Sequence, residues 1–560
     1  FVTKSNNIMK LKVLIILFLL SAPGFVNAQT LEDAKRHIYY QRYETAKNIL
    51  QSVIQKRTAT PDVWFWLGEI YLKERKLDSA RKVFLDGTQY CLNNKLSKKQ
   101  FPLIFIGWAH MLLDIGELAD GRMQMEEVLK LSKFKDPAAL LAVARANIES
   151  KNGDVAWAIE LLQKAVKKDK TNPEIYTAMG DAYRKIIDGS KAIQNYTTAL
   201  NVSPEFAEAM YKKGLIYKTQ KNAAVYSERF TEAYNMDTTY TPAIYQLYWY
   251  YFKKNNIMAK KMLAAYIRYS DKSPEHDYMI ADLHYVSGEF SDAITAAKGI
   301  IQSNKEVKPR LFKLIAYSYA DLKDSSQSLK YMKEYFERQN PKEVVVSDYR
   351  LMAKLHESQT TDKRVVIEWL KKALGMETDE KEQLQYMITL ADLQQELGNR
   401  EREAIWREKV YNTKSSPTNL DIYKWGVALY SAENYLKADS VFAMYEKKYP
   451  HQIYGYLWRA RCNALIDTTM EKGLAVPHYK NLVQVGQKDS IKNKSTLLRA
   501  YGYLGTYEAN ITKDYPASLG YFNKMLELDP DNTDASKYKE ILEAWINRGS
   551  GINNNIESNK

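Results

Sequence analysis

Hydrophobic and small residues recur along this chain with a spacing of about 34 residues. The clearest copy begins at Pro173 and continues with Tyr176, Met179, Gly180, Tyr183, Ala192, Tyr196 and Ala199. At about 100° of rotation per residue, the first four of these share one face of a helix, and the last three share a face of a second helix. The pattern therefore predicts pairs of antiparallel helices that repeat along the chain.

Fourteen copies of the pattern can be placed along the sequence. Neighbouring copies are 33 to 35 residues apart between residues 139 and 309, and the spacing is longer elsewhere. The first copy is weak, and the copies at residues 347 and 453 need an insertion to stay in phase, so these three boundaries are open. The copies begin near residues 27, 61, 100, 139, 173, 207, 241, 274, 309, 347, 384, 419, 453 and 498.

The repeat resembles the tetratricopeptide repeat, a unit of about 34 residues that forms two antiparallel helices. Small residues at the eighth and twentieth positions, such as Gly180 and Ala192, let the two helices approach closely. The resemblance implies an all-α fold, a right-handed superhelical solenoid of about 14 helix-turn-helix repeats. A further helix over residues 534–545 is expected to cap its C-terminal end.

The ends and turns of the chain suggest how it is divided. Residues 1–28 contain Lys10 and Lys12, an apolar run, and small residues before Gln29, as a signal peptide does. Residues 1–8 precede Met9, a plausible initiator, and we treat them as a mis-assigned start. The expected divisions are a signal peptide over 1–28, an N-terminal array over 29–412, a candidate hinge over 413–418, a C-terminal array with its cap helix over 419–546, and a disordered tail over 547–560.

The leader predicts an exported protein, cleaved before Gln29 and located in the bacterial periplasm. Its apolar run is shorter than the roughly 20 residues that span a bilayer, so we expect no transmembrane span in the mature chain. Residue 29 is glutamine, whereas bacterial lipoproteins carry their lipid on a cysteine at that place, so we do not expect a lipoprotein.

Composition and charge limit the choice of partners. With 45% hydrophobic and 26% charged residues, the sequence is typical of a folded chain rather than a disordered one. The net charge is +14, but lysines are interspersed with acids, as in residues 164–170. Nucleic acid binding requires a continuous cationic track, so we expect no nucleic acid partner.

The sequence lacks the motifs of the common catalytic and metal sites. It has no P-loop, no GxSxG and no HExxH, and Cys91 and Cys462 belong to no CxxC or Cys/His cluster. His276 and His284 are the closest pair of histidines, but eight residues on one helix place them about 80° apart. We therefore expect no enzymatic activity, no cofactor and no metal.

Candidate binding residues follow from the repeat positions that point away from the partner helix. In tetratricopeptide arrays, which this chain resembles, positions 2, 5, 9, 12 and 13 line the concave groove that binds ligands. In the copies at 173 to 274 these positions are rich in aromatic and basic residues, which suit an extended peptide with acidic or apolar side chains. The candidates are Arg184, Lys185, Tyr211, Lys218, Tyr245, Trp249, Phe252, Lys253, Tyr278 and Tyr285.

Alternatives to this groove remain open at the level of sequence. The helix that carries Tyr245 and Trp249 is apolar or aromatic nearly all round, and such helices are usually buried between neighbours. No repeat tested carries the Lys and Asn at positions 5 and 9 found in arrays that clamp the carboxylate tails of cytosolic chaperones, so we do not expect that ligand.

Two functional hypotheses follow. The leading one is a non-catalytic protein–protein interaction scaffold in the periplasm or cell envelope, similar to exported tetratricopeptide proteins of Gram-negative bacteria. It predicts a protein or peptide partner of unknown identity. The alternative is a glycan-binding envelope protein that uses aromatic stacking.

Overall fold

The computed structural model describes residues 30–56, 59–303 and 306–557, with side chains as far as residue 547. This part of the chain forms 29 α-helices and no β-strand. In chain order the helices make fourteen hairpins followed by one last helix. The predicted signal peptide, its cleavage before Gln29 and the start at Met9 lie outside the described residues.

The chain divides into two compact units, residues 1–307 and residues 308–560. The first unit contains eight hairpins. They are α1 (Leu31–Tyr39) with α2 (Tyr43–Gln55), α3 (Asp62–Lys73) with α4 (Leu77–Asn93), α5 (Pro102–Ile115) with α6 (Leu118–Leu131), α7 (Pro137–Glu149) with α8 (Val155–Lys168), α9 (Pro173–Lys185) with α10 (Gly189–Val202), α11 (Ala207–Thr219) with α12 (Ala223–Met236), α13 (Thr241–Tyr251) with α14 (Asn256–Tyr269), and α15 (Glu275–Val286) with α16 (Phe290–Ser303).

The second unit contains six hairpins and the last helix. They are α17 (Arg310–Asp321) with α18 (Ser325–Arg338), α19 (Val346–Gln359) with α20 (Lys363–Met376), α21 (Glu380–Glu396) with α22 (Arg400–Thr413), α23 (Asn419–Ser431) with α24 (Tyr435–Lys448), α25 (Ile453–Ile466) with α26 (Val476–Gly486), α27 (Lys494–Tyr507) with α28 (Tyr515–Leu528), and finally α29 (Thr533–Glu557). Short 3-10 turns lie at Lys98–Gln100, Pro341–Glu343 and Gln487–Asp489, and a π turn lies at Glu508–Thr512.

The repeat prediction is confirmed: the protein is an all-α helical-repeat solenoid. The first helix of every hairpin begins within four residues of the predicted start of its copy. The starts differ by four residues only at the copies placed near 27, 384 and 498.

In several hairpins a glycine of the first helix packs against an aromatic ring of the second. In the hairpin α9–α10, Gly180 lies directly against the ring of Tyr196, which is fully buried and donates its hydroxyl to Asp181 at 2.8 Å. Gly426 lies in the same way against the buried ring of Phe442. The missing side chain makes room for the ring, so the two helices come close enough to share one core.

The last helix and the segment of the candidate hinge are both described by the structure. Helix α29 begins one residue before the expected cap and continues to Glu557, through residues that we expected to be disordered. The boundary between the two compact units falls after residue 307. Helices α22 and α23 contact each other across residues 413–418, and the hinge stays a prediction.

Within the first unit, the first hairpin contacts repeats far along the chain. The ring of Tyr39 packs 5.0 Å from that of Tyr240, measured between centroids, and the hydroxyl of Tyr40 donates to Asp237 at 2.8 Å. The carboxylate of Asp271, in the turn between α14 and α15, accepts hydrogen bonds from the start of α2. The eight repeats of this unit therefore curve far enough for the first hairpin to meet the sixth and seventh.

Candidate partner-binding surface

The first helices of consecutive hairpins lie side by side in the first unit and form what we call the first-helix row. Contacts join α3 to α5, α5 to α7, α7 to α9 and α9 to α11. Charged side chains on these helices pair between repeats, and the pair of Lys73 and Glu149 spans an intervening repeat. The pairs are Glu69 with His110 at 3.0 Å, Lys73 with Glu149 at 2.8 Å, Arg145 with Glu174 at 2.9 Å, and Asp181 with Lys212.

These pairs change the protonation of the groups that form them. Burial disfavours a charged His110, but the adjacent Glu69 carboxylate outweighs it and raises the pKa of His110 to about 9. Burial opposes the charge of Glu149 as well, yet Lys73 and His110 hold its pKa at about 2. His110 and Glu149 are therefore both charged at neutral pH, and their ion pairs join helices of the first-helix row.

Three rings lie together on helix α13 and at its C-terminal cap, and we call Tyr245, Trp249 and Phe252 the α13 aromatic face. Tyr245 is 37% exposed and Trp249 is 43% exposed. Their ring centroids are 6.1 Å apart, and the ring of Phe252 lies 5.1 Å from that of Trp249. Ile244 and Tyr248 on the same helix are fully buried. The helix is thus apolar all round because one side packs in the core while the other carries rings that reach solvent.

Three of the predicted basic residues remain at the surface. The Lys218 ammonium donates at 2.6 Å to the side-chain oxygen of Gln246, the residue that follows Tyr245. Lys253 follows Phe252 and is exposed, and Arg184 is exposed on α9. Neither Lys253 nor Arg184 forms an ion pair with a residue that the structure describes. Their charges are therefore available to an acidic group.

The other four candidates have contacts that belong to the fold. The Lys185 ammonium donates to the carbonyl oxygens of Asn147, Ile148 and Ser150 at the end of α7, where a positive charge complements the helix dipole. Tyr278 is only 5% exposed, so its ring is not offered to a partner. Tyr211 packs against Phe230 and Tyr240, and Tyr285 packs against Phe290. The surface that the structure assembles is therefore smaller than the predicted strip.

Two side chains at this surface were missing from the sequence prediction. Tyr266 of α14 lies 5.2 Å from Tyr245, between ring centroids, and Gln246 binds Lys218. The prediction considered only five positions of the first helix in each repeat, and neither residue occupies one of them. A search of second helices for aromatic residues would have found Tyr266.

Residues 31–88 match the family model of the tetratricopeptide repeat. The match covers the first hairpin and most of the second. A comparison of the chain with curated proteins finds no match.

Solved structures of tetratricopeptide-repeat (TPR) proteins are similar to parts of this chain. The C-terminal part of a TPR protein from Cytophaga hutchinsonii is 25% identical, and the match covers 46% of this chain and 97% of that one with a TM-score of 0.30. A TPR protein from Parabacteroides merdae is 16% identical over 45% of this chain and 96% of its own, with a TM-score of 0.31. YrrB, a TPR protein with an unusual peptide-binding site, is 16% identical over 36% and 100%, with a TM-score of 0.31. Scores this low identify no function.

One group of potential metal ligands occurs in the described part of the chain. Ligand atoms of His284, Glu289 and Asp292 lie within 4.8 Å of one another. His284 and Glu289 are 2.7 Å apart, and the Lys260 ammonium already pairs with Glu289. His276 bonds Ser270 at 3.0 Å instead of joining this group. The lysine supplies the positive charge that a metal ion would otherwise bring to Glu289.

Among the helices that the structure describes, none is both long enough and apolar enough to cross a bilayer.

Proposed function

We propose that this protein is a non-catalytic scaffold for protein–protein interaction, and that it binds an extended peptide segment of a partner along the first-helix row of its first unit. The observation that carries the proposal is the α13 aromatic face. Tyrosine and tryptophan side chains that stand together at a surface supply large contact areas at small entropic cost, and they dominate the binding energy of many interfaces. Helical-repeat arrays present such surfaces to partners along their length.

The surrounding charges favour a segment that is both apolar and acidic. Lys218 and Lys253 flank the α13 aromatic face, and Arg184 lies two repeats earlier on the same row. An extended chain advances about 3.3 Å per residue, so a segment of modest length reaches from one repeat to the next. Apolar side chains would cover the rings while acidic ones meet the ammonium groups.

The cellular location is part of the same proposal and rests on sequence alone. The composition of residues 1–28 supports export to the periplasm or cell envelope. Fractionation of cells followed by N-terminal sequencing of the exported chain tests it. Recovery in the cytoplasm with residues 9–28 still attached would refute this part of the proposal.

Site-specific crosslinking identifies the partner, and affinity measurement then tests the surface. A photoreactive amino acid at position 245 or 249 is expected to capture one discrete protein in cells that express the scaffold. With that partner purified, Trp249→Ala is expected to weaken binding about tenfold or more, because truncation of a central aromatic residue costs about 2 kcal/mol. Trp545→Ala is the matched control, since Trp545 is equally exposed, at 44%, but lies on α29.

Two results would count against the proposal. One is a partner that binds the Tyr245→Ala/Trp249→Ala double variant as tightly as the wild type. The other is the absence of any protein adduct together with a rise in melting temperature on addition of oligosaccharides, which would favour the glycan-binding alternative.

A further inference from the structure

Two hydrogen-bond donors of the α13 aromatic face have no acceptor within the part of the chain that the structure describes. They are the hydroxyl of Tyr245 and the indole N–H of Trp249, and both side chains are exposed. An aromatic ring with a polar tip suits a surface where the ring packs on a partner and the tip bonds an acceptor. Both donors are therefore open to the carbonyl oxygens of a bound segment.

The rings of this face meet at steep angles. The planes of Tyr245 and Trp249 are inclined by 76° with centroids 6.1 Å apart, and the planes of Trp249 and Phe252 are inclined by 58°. Tyr266 of α14 packs on Tyr245 at an angle of 48°. Rings inclined in this way form corners with two apolar walls. A compact and rigid apolar group can contact both walls of such a corner at once.

The backbone of a bound segment finds no strand edge on a surface made of helices. Inside a helix the backbone N–H and C=O groups bond each other, so they are not free to pair with a ligand. A β-extended segment would lose water from its own N–H groups there without gaining partners. A polyproline II segment avoids this cost, because proline has no N–H and the carbonyl oxygens of this conformation point outward to donors.

Spacing and charge agree with the same conformation. A polyproline II helix has three residues per turn and rises about 9 Å in that turn, while packed helices lie about 8–10 Å apart, so one turn advances the segment by one first helix. The Lys218 ammonium of α11 donates to Gln246 of α13 at 2.6 Å, which places a positive charge where the preceding first helix borders α13. An acidic side chain one turn away from the prolines can meet that charge.

We propose that the α13 aromatic face takes a proline-rich segment of a partner protein in the polyproline II conformation, with an acidic residue one turn from the prolines. The inference rests on the scaffold function proposed above and names the kind of segment that the surface binds. Pyrrolidine rings pack in the corner of Tyr245 and Trp249, and the backbone carbonyl oxygens accept from the tyrosine hydroxyl and the indole N–H. The carboxylate pairs with Lys218. Because proline preforms the conformation, binding orders fewer backbone torsions.

Three fluorescein-labelled dodecapeptides test the inference on the full-length protein by fluorescence polarisation. The probe has four Pro-Pro-Glu units. A second peptide with four Pro-Pro-Gln units removes the charge, and a third with four Leu-Gly-Glu units keeps apolar and acidic side chains but not the conformation. We expect the Pro-Pro-Glu peptide to bind at least about tenfold more tightly than the Leu-Gly-Glu peptide. Its advantage over the Pro-Pro-Gln peptide should be about threefold and should shrink as salt increases.

Variants of the protein locate the bound peptide. Trp249→Ala is expected to weaken binding of the Pro-Pro-Glu peptide about tenfold. Tyr245→Phe removes only a hydroxyl without a described partner, so we expect an unchanged melting temperature and about threefold weaker binding. Lys218→Gln should abolish the preference for Pro-Pro-Glu over Pro-Pro-Gln. Tyr454→Ala is the matched control and should bind like the wild type, since Tyr454 is 50% exposed on a first helix of the second unit.

Several outcomes would overturn the inference. They are equal affinity for the Leu-Gly-Glu and Pro-Pro-Glu peptides, no binding of any of the three peptides, and wild-type affinity in the Tyr245→Ala/Trp249→Ala double variant. A partner captured in cells from position 249 through a segment without proline would also overturn it, and would leave the scaffold function standing. Failure to capture any partner counts against the scaffold function itself.

Discussion

The buried pair of His110 and Glu69 makes stability depend on pH. His110 is 3% exposed and its Nδ1 lies 3.0 Å from the Glu69 carboxylate. An unfolded histidine has a pKa near 6.5, whereas that of folded His110 is raised to about 9. Because the folded pKa is the higher one, the stabilisation is complete below about pH 6.5 and is lost as the pH rises through 9.

Glu69→Gln should therefore lower the free energy of unfolding by about 3 kcal/mol at pH 6, and by much less at pH 9.5. Urea unfolding followed by circular dichroism at both pH values measures the difference. His451→Gln, which changes an exposed histidine, is the control and should show no such dependence. An equal loss at pH 6 and pH 9.5 would mean that His110 is not charged in the folded protein.

Single residues also show the limit of prediction from the repeat pattern. Tyr245 and Tyr278 occupy the same position of their repeats, yet one is 37% exposed and the other 5%. The position fixes the direction in which a side chain leaves its helix, but neighbouring repeats determine what covers it. The repeat positions therefore predicted some of the residues of the candidate surface. The exposure of each ring depends on the neighbouring repeats and could be determined only from the structure.

At the scale of the helix pair, the small residues of the repeat decide how closely two helices pack. A methyl group added at Gly180 would overlap ring carbons of Tyr196, while one added at Gly299 on α16 would meet nothing within 4 Å. Gly180→Ala should lower the free energy of unfolding by about 2 kcal/mol, because overpacking outweighs the gain in helix propensity. Gly299→Ala should raise it by up to about 1 kcal/mol.

Thermal and urea unfolding of the two glycine variants, side by side, provide the measurement. Equal effects at both positions would show that Gly180 is retained for a reason other than close packing. Since both glycines lie inside helices of the first unit, the comparison isolates the contact with the ring.

Helix boundaries were predictable to within four residues because the repeat pattern is local. One of the three largest differences arises where a cap moves the start. Helix α21 begins at Glu380 rather than near residue 384, since the Asp379 carboxylate accepts hydrogen bonds from the backbone N–H groups of Lys381 and Glu382. An aspartate at that place satisfies the first free N–H groups of a helix and so adds a turn that the apolar spacing does not contain.

Contacts between distant repeats had no counterpart in the sequence pattern. A repeat describes a hairpin and its nearest neighbours, so it carries no information on how far a row of eight hairpins curves. The small rotation from each repeat to the next accumulates along the first unit, and it brings α1 and α2 against residues near 240 and 271. Only the three-dimensional structure reveals that the first hairpin of this unit has a second set of neighbours.

Asp271 is the residue that most directly tests this long-range contact. Helix α2 has no cap of its own, because the side chain of Arg42 bonds none of its free N–H groups. Asp271 replaces that cap from 226 residues away by accepting hydrogen bonds from Thr45, at 3.2 Å from its backbone nitrogen, and from the backbone of Glu44 at 2.8 Å. Loss of a charged cap costs about 1–2 kcal/mol.

Asp271→Ala should consequently allow the first hairpin to open more often. We expect amide hydrogen exchange in residues 43–55 to become about 5- to 30-fold faster, which corresponds to 1–2 kcal/mol, while exchange in α4 is unchanged. Asp277→Ala is the matched control, as Asp277 is an exposed carboxylate six residues further on. Because α2 also packs against α3, a variant with unaltered exchange in residues 43–55 would show that this neighbour alone holds the hairpin closed and that the contact with Asp271 contributes nothing to it.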